Sequence, residues 1–299
     1  MGIFQHLFSV IFIAIMKVVS EPPRLILCAA LWSLVGHPTP KREWSLKRKL
    51  EAIKEAGFDG VAEMFRPELA PHLKRLGLRI CGRVFSRDGS DVDRLLKVEA
   101  KGGAKYINCM LGEHDTSPAN ATRMIIKTVD AARRLGLSAH LESHRDTCTE
   151  TPEKLTEIAL RYRRETGELL PVTWDHSHPA VMKHMLPQDF SQRLLGDTKL
   201  IQHSRMFHCR PFGSQHCQVP VTNGHGKLTP EFRDYLNFAE DLFTVWLEGP
   251  KPRGELWVCP ELGTTVGYTV STNPPVWPDT IRCRKELVGA WARALKRAK

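Results

Sequence analysis

The sequence predicts an α/β chain folded as one domain, a (β/α)8 TIM barrel, and three observations predict it. First, strand-like apolar runs alternate with helix-like stretches from residue 25 to the C-terminus. Eight such pairs fit into about 270 residues, close to the ~250 usual for this fold. Second, one joint recurs at Gly57, Gly77, Gly102-Gly103 and Gly136: a helix, a glycine, a residue or two, then a strand. Glycine ends a helix tightly in the left-handed conformation, and short αβ joints suit parallel strands joined by crossover helices. Third, four of the later strand-like runs end in a carboxylate or histidine: Glu142, Asp175, His208 and Glu261. In a barrel the C-terminal ends of the strands form the functional face. A doubly wound open sheet is the alternative, but no Gly-x-Gly-x-x-Gly follows the first strand.

The elements follow in order. Leu25 to Val35 is an apolar run, and Ser45 caps a helix from Leu46 to Ala56. A strand spans Val61 to Phe65, a helix Pro67 to Leu76, and a strand Leu78 to Phe85. A helix over about Ser90 to Glu99 precedes the strand Lys105 to Leu111. Ser117-Pro118 and Thr151-Pro152 each pair an N-cap with proline at the first helical position, on either side of the Glu142 strand. After the Asp175 strand a helix is expected from Pro179 to Leu195, then a strand beginning near Lys199 and ending at His208. The loop Pro211 to Lys227 carries glycines, prolines and histidines, and reads as a lid or an oligomer contact in a homo-oligomer. A helix from Thr229-Pro230 to Leu247, the strand ending at Glu261 and a last helix from about Asp279 to Arg297 complete the chain.

Composition bounds the function. Apolar residues make up 42%, enough for a substantial core, and the formal charge is +10. The basic residues are scattered along helices with no basic arm, so the charge reads as a solvated surface and no nucleic-acid partner is expected. The eight cysteines include no Cys-x-x-Cys pair. Cys28, Cys81, Cys109, Cys209 and Cys259 sit in apolar strands as small, reduced, buried hydrophobes, which points to a cytoplasmic location. Residues 1–24 read as an apolar extension preceding the barrel of residues 25–299. The run Leu7 to Met16 is too short to span a bilayer, so no stable membrane span is expected. It reads equally as a signal peptide, which would imply export, as a packed helix, or as sequence upstream of a start at Met16.

Taken singly, Asp175 reads as a helix cap, Glu261 as a loop acid and His208 as a core histidine. Neighbouring barrel strands lie ~4.8 Å apart, so four consecutive rim positions can converge on one ion. Three carboxylates and an imidazole suit a divalent metal: Mn²⁺ first, with Mg²⁺, Co²⁺ or Zn²⁺ as alternatives.

These segments resemble the xylose isomerase-like barrel superfamily, in its branch of sugar-phosphate isomerases/epimerases and ketose 3-epimerases. The resemblance rests on Leu141-Glu142-Ser143-His144-Arg145-Asp146-Thr147, on Trp174-Asp175-x-x-His178, on His208 followed closely by Arg210, and on Glu261 at the last strand. Trp32-Ser33-Leu34 and the stretch from Lys54 to Glu63 resemble the first βα unit. The resemblance implies that Glu142, Asp175, His208 and Glu261 hold the metal and that Glu142 and Glu261 are the acid/base pair. It further implies that His178 and Arg210 contact a small sugar-like substrate. By position, His144 next to Glu142 shapes the pocket or supports a metal ligand, and Glu63, His114 and Trp32, near other strand ends, line a sugar pocket or serve as caps and core. A cation chelating a carbonyl and the adjacent hydroxyl acidifies the C–H between them, so one carboxylate removes a proton and another returns one. A lyase or dehydratase acting on a keto-inositol begins the same way. An AP endonuclease-type phosphodiesterase shares the barrel, but the third and fourth strands end in Arg83-Val84-Phe85 and Asn108-Cys109-Met110, without the histidines of a three-metal site. A barrel that binds sugar without turnover fits an intact ligand set least well.

Overall fold

The computed structural model describes residues 22–250, 254–264 and 267–298. Eight parallel strands close into a barrel in sequence order. They are β1 Arg24–Ala30, β2 Gly60–Ala62, β3 Arg79–Ser86, β4 Tyr106–Leu111, β5 Ser138–Glu142, β6 Val172–Asp175, β7 Met206–His208 and β8 Glu255–Cys259. The ring closes where β1 pairs β8, with Leu25 opposite Leu256 and Leu27 opposite Val258. The readings of residues 1–21 as leader, helix or upstream sequence fall outside the described residues. Among the described residues no helix is long and apolar enough to cross a membrane.

Helices on the outside cover the sheet: α1 Leu46–Glu55, α2 Ala70–Leu76, α3 Val92–Lys101, α4 Pro118–Arg134, α5 Pro152–Thr166, α6 Ser177–Met182, α7 Phe190–Leu194, α8 Thr198–His203, α9 Pro230–Leu247 and α10 Val276–Arg297. Their starts follow the side chains expected to cap them. Ser45, Ser117, Thr151 and Thr229 each accept a hydrogen bond from the backbone N–H three residues on. The repeated joint is also present, with Gly57, Gly77, Gly103 and Gly136 at φ between +60° and +79°. A side chain there would be strained, so these turns into β2, β3, β4 and β5 depend on glycine.

Two expectations are corrected. The single helix from Pro179 to Leu195 is broken: α6 stops at Met182, His184 takes φ +45°, and Pro187 opens a 3-10 turn ahead of α7. Proline has no N–H to continue a helix, and the residue before it avoids the α region. The strand expected from Lys199 is instead α8, with β7 confined to Met206–His208. Leu200 and Ile201 are buried, and so short an apolar run does not distinguish strand from helix by its periodicity.

Apolar side chains form two cores. The larger lies between sheet and helices and includes Cys109 and Cys209. The smaller fills the barrel itself with Ile26, Cys28, Ala30, Ala62, Cys81, Met206, Trp257 and Cys259. All eight cysteines are unpaired. The inner core plugs the lower barrel and leaves the C-terminal mouth to polar groups.

Candidate active site

Period-2 alternation turns the last inward residue of each late strand toward the barrel axis. Glu142 ends β5, Asp175 ends β6, His208 ends β7, and Glu261 lies two residues beyond β8. Register brings them level, with Asp175 opposite His208 and His208 opposite Cys259. Each is at most 3% exposed. One ligand atom from each lies within 4.8 Å of the others. His208 Nδ1 is 2.7 Å from Glu142 Oε1 and 2.8 Å from Glu261 Oε2.

Three buried carboxylates this close repel one another unless positive charge is supplied. In the metal-free chain His208 and Arg210 supply it. Burial alone would lower the His208 imidazole, but the Glu261 and Glu142 carboxylates outweigh it and raise it to about 10. Burial likewise opposes ionisation of Glu142, yet His208 holds its carboxyl down at about 2. Glu261 sits well below the usual range because His208, Arg210 and Arg83 outweigh its burial. The donor set therefore fits a divalent cation, which would replace the His208 proton: hard oxygens, one imidazole, and no thiol among them.

The surrounding groups hold this geometry. Ser143 Oγ accepts the Asp175 N–H at 2.9 Å and donates to the Asp175 carbonyl at 3.0 Å, tying β5 to β6 at the level of the site. Thr149 Oγ1 donates to the Glu142 carbonyl. Asn108, fully buried on β4, donates Nδ2 to Glu142 Oε2. Arg210 Nη2 lies 2.9 Å from Glu261 Oε2, and its Nε donates to Asp175 Oδ2 at 3.2 Å. The same guanidinium stacks 4.3 Å from the Tyr268 ring and 5.2 Å from the Trp32 ring. Trp32 in turn leans on Gly263, where a Cβ would fall 2.3 Å from its ring, so only glycine fits.

Of the expected substrate contacts, His178 and Arg210 lie against the acidic cluster. His178 Nε2 is 3.4 Å from Asp175 Oδ2, and burial pushes its imidazole down to about 4, leaving it neutral. His144 packs on it with ring centroids 4.4 Å apart. Trp32 covers Arg210, while Glu63 sits with Trp32 on a rim cleft of about 330 Å³ between the first two βα units, apart from the acidic cluster. Arg210 Nη1, His178 Nε2 and Trp32 Nε1 are buried without a hydrogen-bond partner. Such orphans are rare and call for an explanation. Sequence reasoning missed Tyr268, which belongs to no motif, and gave no role to Ser143, although it lies in the Leu141 to Thr147 segment. It also passed over Asn108, though a buried amide inside an apolar strand is itself a signal.

Comparison with known proteins yields structural matches only: no family profile matches the chain, and no curated protein matches it in sequence. An L-ribulose 3-epimerase structure superposes with a TM-score of 0.59 at 13% identity, over 91% of this chain and 96% of that one. A D-tagatose 3-epimerase-like protein gives 0.58 at 14%, over 92% and 100%. The chain has the fold of these structures and of proteins described as xylose isomerase-like TIM barrels. Another xylose isomerase-like barrel, from Mycobacterium smegmatis and in complex with magnesium, gives 0.52 at 15%, over 89% and 97%.

Proposed function

We propose that this xylose isomerase-like barrel is a divalent-metal-dependent isomerase or epimerase acting on a small sugar or sugar-like keto-polyol. The observation carrying the proposal is the meeting of Glu142, Asp175, His208 and Glu261 within 4.8 Å at the barrel mouth. The 3-epimerases among the structural neighbours and the magnesium complex support it. Those four side chains would hold the cation, which would supply Lewis acidity toward a carbonyl and its neighbouring hydroxyl and so make the C–H between them more acidic.

The chain's own residues do the rest. Glu142 and Glu261 come from β5 and from beyond β8 and both reach His208, so a substrate bound at the cluster has two carboxylates from separate strands within reach. One takes the proton and the other delivers one. Asn108 and Arg210 keep the two glutamates oriented. The orphan donors of Arg210, Trp32 and His178 are placed to bind substrate oxygens, and the rings of Trp32 and Tyr268 keep bulk water from the charge that develops. His144 shapes the pocket through His178, and Glu63 lines its outer edge.

The test is solvent exchange in heavy water over a panel of ketoses, keto-polyols and their phosphates, with Mn²⁺, Mg²⁺, Co²⁺ or Zn²⁺ supplied in turn and Mn²⁺ tried first. Deuterium uptake beside the carbonyl is expected, lost on chelation and restored by metal. Uptake that survives chelation, or none anywhere on the panel, rejects the proposal.

A further inference from the structure

Arg83 on β3 adds to the field at Glu261 but has no hydrogen-bonded partner in the site described so far. Cys81 belongs to the core inside the barrel, and Gly82 turns outward, where a Cβ would strike Glu99 and Ile107. Alternation therefore sends Arg83 inward, level with Asn108 on β4. Its Nη2 lies 3.9 Å from Glu261 Oε1, at the edge of ion-pair range and beyond hydrogen bonding. Among the described residues that is its one ion pair, and its side chain makes no hydrogen bond. Glu63 contributes to the field at Arg83 but accepts instead from the N–H of Met64 at 3.0 Å. The Arg83 side chain remains 22% exposed, while that of Arg210 is 1% exposed.

Charge balance sharpens the point. A divalent cation and Arg210 together offset the three carboxylates, with His208 neutral. Arg83 is then a positive charge beyond those the three ligand carboxylates require, on the side of the barrel facing away from Arg210 and His178, with Glu63 adding to its field without bonding to it. A guanidinium is costly to place in a confined site and is the side chain whose planar fork matches a two-oxygen anion. A hydroxyl would need only an amide.

Resting on the reading above, we propose that Arg83 is a specificity-determining residue that binds an anionic group on the substrate, a carboxylate or phosphate remote from the reacting carbon and directed toward β3. The substrate class is then an acidic or phosphorylated keto sugar rather than a neutral one.

The test is titration calorimetry on the metal-loaded full chain with D-fructose, D-fructose 6-phosphate and D-fructuronate, which separates phosphate from carboxylate. The wild type is expected to bind one charged probe at least about tenfold more tightly than fructose, the value of one charge-assisted hydrogen-bonded pair. Arg83→Gln should bring that ratio close to one, and Arg83→Lys should restore part of it. Metal stoichiometry and melting temperature confirm that each variant is folded and loaded. Equal affinities in the wild type, no binding of either charged probe, or a preference that survives Arg83→Gln overturns the assignment. Deuterium uptake with the same probes keeps the two readings apart. Uptake without charge preference removes the anion site and leaves the enzyme, whereas charge-selective binding without uptake from any probe does the reverse.

Discussion

The two ends of the barrel interior bury imidazoles equally well and treat them oppositely. At the mouth, His208 faces two carboxylates and is raised to about 10. At the floor, two residues before Glu142 on the same face of the same strand, β5, His140 is pushed by burial down to about 3, with His203 and Arg205 adding to the effect. It is 2% exposed, bonded to Ser138 Oγ at 2.9 Å, and packed on the Tyr106 ring with centroids 5.9 Å apart, Tyr106 in turn packing on Trp257 at 5.2 Å. The floor's charges, Arg79 and Glu255, pair with each other at 2.6 Å and remain partly exposed. Burial is thus common to both ends, and the neighbours decide the charge. The floor carries no group whose charge must change, while the mouth concentrates acids that only a cation makes tolerable.

The largest effect that would break this contrast is at Glu142. Glu142→Gln keeps the shape and an oxygen ligand but removes the proton acceptor, so exchange should fall by about 10²–10⁴ at saturating metal, the worth of a positioned acid/base. Circular dichroism should report an unchanged fold. At the floor, Glu255→Gln touches no part of the mouth. It should leave exchange at the wild-type level and cost at most about 1 kcal/mol in stability, as a partly exposed ion pair does. Equal losses at both ends would dissolve the distinction.

Metal and pH come next. A raised folded value means that the His208 proton stabilises the metal-free chain fully below its ordinary value of 6.5, and that this is lost as pH rises through about 10. Glu142, held at about 2, stabilises above 4.5 and loses that only as pH falls through about 2. The metal-free protein should therefore melt at progressively lower temperature from pH 7 to 10, while metal-loaded protein, with the cation in place of the proton, should not. Binding should release about one proton per metal, read by calorimetry in two buffers of different ionisation enthalpy, and the metal Kd should fall about tenfold per pH unit. A pH-independent Kd across this range would mean that His208 does not exchange its proton for the cation.

The barrel and its acidic mouth were legible for a common reason. Strand ends, helix caps and glycine joints are local in the chain, and in a closed ring of parallel strands local position fixes spatial position. Glu142, Asp175, His208 and Glu261 needed no information beyond which strand each one ends or closely follows. What stayed hidden is what depends on the third dimension. Tyr268 follows Glu261 in a loop, and nothing in the chain says that it stacks on Arg210. Arg83 was noted only for not being histidine, because its direction depends on where Gly82 points. The break after Met182 turns on His184 adopting a left-handed backbone, which apolar periodicity does not encode. Leu200 and Ile201 were misread because two buried residues satisfy either period.

The smallest expected effect tests the floor on its own terms. With its folded value near 3 and its unfolded value near 6.5, His140 takes up a proton on unfolding but not when native. Between those limits it removes about 1.4 kcal/mol of stability for each unit the pH falls, one proton's worth of linkage. His140→Leu removes that proton uptake together with an orphaned Nδ1 and the bond to Ser138. At neutral pH the lost bond and the lost orphan should nearly cancel, within about 1 kcal/mol. The variant should separate from the wild type only on acidification, its urea midpoint declining less steeply from pH 6 to 4. The carboxylates and other buried histidines still give both proteins an acid limb, so the measured quantity is the difference in slope. Metal affinity should match the wild type, because the inner core of Cys81, Met206 and Trp257 lies between the two ends. A parallel acid limb would show that His140 is protonated in the native state. A shift in metal affinity would show that floor and mouth are coupled through that core.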